Sequence, residues 1–91
     1  MDNKITIESL SMDLLRVANG LHNESYKMAK RFSDEALVRC MEIKSDEVKP
    51  YFAKILVKIN QCLSNQPEER TAEDALMYSV LCKNYASKFL N

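Results

Sequence analysis

The chain has 91 residues, of which 46% are apolar and 29% charged, and its thirteen acids are matched by thirteen bases. That length is one domain, and the composition is too apolar for a disordered chain. Zero net charge removes a bulk attraction to nucleic acid, no apolar run reaches a membrane span, and the start "MDNKITIESLSMD" lacks a signal-peptide core, so the expectation is one cytoplasmic domain over residues 1–91.

In chain order, Ile7, Leu10, Leu14, Val17 and Leu21 recur at spacings of three and four, which predicts a helix with Thr6 as its N-cap. Asn19-Gly20 interrupts this pattern. The far flank "LHNES" does not alternate as a hairpin strand should, so Gly20 is expected to close the first helix or to kink a longer one. "NESYKMAKRF" resumes helical spacing through Ala29 and Phe32. Ser33 is expected to cap "DEALVRCMEIK", with Leu37, Cys40 and Met41 as a short apolar stripe and Asp34 and Glu35 in the first turn, where the helix dipole favours acids. Ser45 repeats the pattern before "DEVKPYF".

The stretch "YFAKILVKINQCL", Tyr51 to Leu63, fits both periods over part of its length. As a helix it gathers Phe52, Ile55, Leu56, Ile59, Cys62 and Leu63 on one arc, with Lys54, Lys58 and Gln61 opposite. Its length is ordinary for a helix and long for a strand, and one glycine and two prolines supply few hairpin turns, so it is read as a helix with Pro50 in its first turn. "SNQPEER" is a loop, and Thr71 with Asp74 resembles a capping box for a last helix over Ala72–Phe89. Its core arc is read as Ala75, Tyr78, Leu81, Cys82, Tyr85, Ala86 and Phe89. Leu76 and Val80 point the other way with Met77 at the flank, where a helix that only covers a core should be polar. Either another helix of the chain covers them, or they form a partner or dimer surface. The sum is an all-α fold, a small antiparallel helical bundle of four to five helices.

Chemistry-bearing motifs are few. Cys40, Cys62 and Cys82 are odd in number and widely spaced, which fits free thiols in a reducing compartment better than a disulfide framework. With His22 they make up the residue set of a Cys3His zinc site, but none stands in a close ligand pair, so no metal is expected. His22 near Ser25 has no nucleophile elbow, oxyanion glycines or orienting acid, and "GLHNESYK" lacks the small residues expected around a phosphotransfer histidine. Gly20 stands alone, so there is no phosphate loop. Neither enzymatic activity nor a cofactor is expected.

Charge is unevenly placed. Residues 48–63 carry Lys49, Lys54 and Lys58 and no acid, and residues 76–91 carry Lys83 and Lys88 and no acid. If the last two helices form a hairpin, Lys54 approaches Lys83 and Lys49 approaches Lys88, giving a basic stripe able to meet phosphates. Neighbouring acidic blocks can equally pair with these lysines. The leading expectation is a protein-interaction module (an inhibitor, adaptor, immunity or chaperone-like factor, or a homodimer) using Leu76, Met77 and Val80 with Lys83 at the rim. The alternative is a nucleic-acid-binding regulator using Lys49, Lys54, Lys58, Lys83 and Lys88. In size and helical plan the chain resembles the four-helix immunity proteins of Gram-positive bacteriocins. That resemblance is one of architecture, matches no motif and assigns no family.

Overall fold

A computed structural model of the chain describes residues 3–90. Its elements are α1 (Asn3–His22), α2 (Tyr26–Glu42), α3 (Pro50–Ser64) and α4 (Thr71–Phe89), with a single 3₁₀ turn at Ser45–Glu47 between α2 and α3. The helices run antiparallel in chain order. α1 packs closely against α2 and α4, and α3 closes the ring opposite α1, lying against α2 and α4 with fewer backbone approaches. The bundle measures 35 × 20 × 19 Å.

The apolar stripes become the core. Ile7, Leu10, Leu14 and Val17 of α1 and Phe52, Leu56 and Ile59 of α3 are buried, as their spacing requires. Phe52 stacks on Tyr85 of α4, with ring centroids 4.1 Å apart and planes 12° from parallel. The Tyr85 hydroxyl accepts a hydrogen bond from the Lys49 backbone N–H at 3.0 Å. That N–H belongs to the N-cap residue of α3, so one aromatic side chain both fills the core and ties down a helix start. Pro50 occupies the first turn, where its missing N–H costs no helical bond.

Several boundaries differ from the sequence expectation. Thr6 does not cap α1, because the helix already runs from Asn3 and Thr6 is buried within it. Gly20 does not end α1, which continues to His22. The helix stops in a Schellman motif, with Ser25 N–H bonded to Gly20 C=O at 2.7 Å and Glu24 N–H to Leu21 C=O at 3.2 Å. The left-handed residue is therefore Glu24, at φ 56°. Gly20 serves the seam with α2 instead: a Cβ placed there would lie 3.0 Å from the Ala29 backbone nitrogen. Ser33 caps nothing, since α2 is continuous through it from Tyr26. The inward line of α2 passes through Ala29 and Ala36, which rotates Met41 out to 80% exposure. Thr71 is the first residue of α4 rather than its cap, and Arg70 holds the N-cap position without a side-chain bond. The Thr71 hydroxyl turns back to accept from Glu68 N–H at 2.8 Å, and so closes the loop rather than the helix.

α1 and α4 approach closely through small side chains. Ser11 Oγ donates to the Ser79 carbonyl at 2.8 Å, and Ser79 Oγ donates to the Ser11 carbonyl at 2.7 Å. Both serines are buried, and this reciprocal pair satisfies both hydroxyl donors. On the other side of α1, the sealed carboxylate of Asp13 lies 3.3 Å from Arg39 Nε of α2 and 3.8 Å from Arg16. Burial outweighs both guanidinium groups, and Glu35 adds repulsion, so the Asp13 pKa is raised above the ordinary 3.8.

Candidate functional site

The buried stripe of α4 is Ala72, Ala75, Ser79, Cys82, Tyr85 and Ala86. Apart from Tyr85 these are small side chains, at spacings of three and four. They let α4 settle against α1 at the distance the Ser11–Ser79 pair requires. The large apolar side chains of the helix's middle turns lie outside. Leu76, Met77 and Val80 are 43%, 48% and 50% exposed, and Leu81 is 37% exposed. The helix therefore inverts the usual arrangement, in which bulk is buried and small or polar residues face water.

Leu81 and Phe89, both 37% exposed, depart from the expected core arc. A line drawn through the buried small residues leaves Leu81 outside it, on the side nearer α3, where Tyr85 faces Phe52. Reading the arc from the largest side chains hides this, and reading it from the Ala72–Ala86 repeat reveals it. Leu76, Met77 and Val80 each keep about half of their surface open to water among the described residues. Glu73 and Asn84 are exposed one turn before and after the patch. Lys83 is also exposed and stands on the flank that carries Ser79, next to α1.

The other lysines are placed as follows. Lys49 and Lys88 come together: their ammonium groups lie 5.0 and 5.3 Å from the centroid of the Phe89 ring. Tyr51, half exposed, meets Phe89 edge-on with centroids 6.4 Å apart. Lys54 and Lys58 are exposed on α3. Lys83 stands about 140° around α4 from Lys88, so it faces a different side of the bundle. None of these five lysines is within ion-pair distance of a carboxylate among the described residues.

Concavities mark the surface of the described residues, three of them as follows. One, of about 250 Å³, lies where the loop after α3 meets α1 and α2, between Leu21, Tyr26, Cys62 and Pro67. A second, of about 300 Å³, lies between α2 and α3 beside the exposed Met41 and Val57. The third, of about 290 Å³, runs over Ile5, Met12 and Arg16 above the Asp13–Arg39 pair. Burial pushes the thiol of Cys40 up to about 11 and that of Cys82 up to about 12, so both are poor nucleophiles near neutral pH. His22 is exposed in the last turn of α1. No three His, Cys, Asp or Glu side chains gather into a metal-binding group among the described residues, and no helix there is long and apolar enough to cross a membrane.

Fold and surface define an all-α antiparallel bundle whose last helix turns its bulkiest aliphatic side chains to water. The chain matches no family model, no curated protein and no solved structure.

Proposed function

We propose that the chain is a non-enzymatic protein-interaction module that binds a partner through the outer face of α4. Leu76, Met77 and Val80 supply desolvation at the centre, Leu81 extends the patch, and Lys83 stands at its rim. The observation that carries this reading is the inversion of α4, with alanine and serine inside and leucine, methionine and valine outside. A helix needed only to cover the core would gain stability and solubility from the opposite arrangement. The three free thiols suit a reducing, cytoplasmic setting. Replacing Leu76 and Val80 together by Asp should abolish capture of the partner from the native cell while leaving the helical circular dichroism near that of the wild type. Loss of helicity in this double variant, or undiminished capture, defeats the reading.

A second reading, nucleic-acid binding, is favoured by the end of the bundle where Lys49 and Lys88 flank Phe89 beside Tyr51. Exposed rings next to cations suit stacked bases and phosphates. Binding of a short single-stranded oligonucleotide should then weaken steeply with salt, and substitution of Lys49 and Lys88 should reduce that slope. A shift assay that shows no complex at low salt removes this reading.

A further inference from the structure

We propose that the occupant of the α4 face is a second copy of this chain, packed α4 against α4 in an antiparallel, two-fold arrangement. This rests on the reading of α4 as an interaction surface and names the partner. The patch lies in the middle turns of its helix, with five residues of α4 before Leu76 and eight after Leu81. An antiparallel pair about the midpoint of the patch sets Leu76 level with the partner's Leu81 and Met77 level with the partner's Val80, and overlaps the helices over residues 71–86. A two-fold axis makes every such contact twice, which is how a single surface becomes its own complement.

Charge selects the direction. Glu73 and Asp74 occupy the first turn of α4, Lys83 and Lys88 its second half, and no acid follows Asp74 within the helix. A parallel pair would set acids on acids and lysines on lysines. The antiparallel pair brings Glu73 within one residue of the partner's Lys83, twice per dimer. Both side chains are exposed, and neither has an ion-pair partner in its own chain among the described residues. The exposed Asn84, abreast of the partner's Glu73, adds an amide donor at the same place. The apolar patch is small for a stable homodimer, so the association is a weak, concentration-dependent one.

Sedimentation of the full chain from about 1 µM to about 500 µM tests this, since that range spans weak dimer constants. The wild type should pass from monomer to dimer. Leu76→Asp with Val80→Asp should remain monomeric and helical throughout. Glu73→Lys alone and Lys83→Glu alone should each weaken the dimer about tenfold, because like charges then meet at both symmetric positions. Combining Glu73→Lys with Lys83→Glu should restore it, since the pair is re-formed with its signs exchanged. A chain that stays monomeric to the top of the range overturns the proposal. The broader reading survives that result if the double aspartate variant still loses a captured heterologous partner. A dimer unaffected by the aspartates overturns the choice of face. A dimer that the aspartates abolish but the double charge exchange fails to rescue overturns the antiparallel pairing.

Discussion

Replacing Gly20 by Ala sets two effects of known size against each other. Within a helix, Ala is favoured over Gly by about 1 kcal/mol, so at an open helical site the change stabilises. At Gly20 the added Cβ would meet Ala29 of α2 at 3.0 Å from its N, 3.1 Å from its Cβ and 3.2 Å from its Cα. Two of those atoms are backbone. They are held by the Ala29 N–H to Ser25 C=O bond at 3.0 Å and by the Ser25 N–H to Gly20 C=O bond at 2.7 Å, so the start of α2 cannot move away without breaking the turn. Overpacking of this kind costs about 1–3 kcal/mol. The expected net effect of Gly20→Ala is a loss of about 1 kcal/mol, read as a fall in Tm of about 4–8 °C for a domain of this size. Urea unfolding followed by circular dichroism, with an unchanged m-value, is the measurement. Asn19→Ala, at an exposed neighbour on the same helix, is the control and should gain a few tenths of a kcal/mol. A Gly20→Ala protein about 1 kcal/mol more stable than wild type would show that α1 and α2 do not approach this closely, and the reasoning would fail.

Ser11→Ala should cost about 1–2 kcal/mol, because it leaves the Ser79 carbonyl short of a buried donor, and Ser79→Ala should behave alike. The double variant should cost less than the sum of the two, and strict additivity in the cycle would show that the serines do not act as a pair. Glu24→Gly should stabilise the chain by up to about 1 kcal/mol, since glycine adopts the left-handed conformation without a Cβ penalty; a destabilised variant would refute the Schellman assignment. The folded-state pKa of Asp13 is raised, so the native state holds its proton more tightly than the unfolded chain does. Its contribution to stability is therefore present below 3.8 and lost as pH rises through the raised value. The unfolding free energy of the wild type minus that of Asp13→Asn should fall with rising pH across that window, and a difference that grows contradicts the burial argument. Near pH 8 a disulfide reagent should modify Cys62, which is partly exposed, before Cys40, and should reach the buried Cys82 only on unfolding. Modification of Cys82 in the folded protein at the rate of Cys62 would contradict the core packing.

Helix and core were legible in the sequence wherever one helix face is simply apolar. The stripes of α1 and α3 follow from residue spacing because Leu, Ile and Phe lose contact with water on any bundle-like path. The strand-like look of "AKILVKI" was settled by length and by the scarcity of turn residues, both properties of the chain itself. The outward direction of Leu76, Met77 and Val80 was also readable as an arc on α4.

Helix ends and seams were decided by the tertiary structure. Thr6, Ser33 and Thr71 have the chemistry of caps, but a cap forms only where neighbouring packing stops the helix, and α1 and α2 run past two of these residues. Gly20 carries the mark of a turn in sequence, yet its work is to make room for the backbone of another helix. The place of Leu81 depended on how near α4 lies to α1. A seam of Ala, Ser and Cys closed by two serine hydrogen bonds brings the helices together, and rotates bulk outward that hydrophobicity alone assigns to the core. Periodicity fixes which residues share a face, and the depth at which that face is buried depends on the size of what stands opposite, which only the packed chain contains.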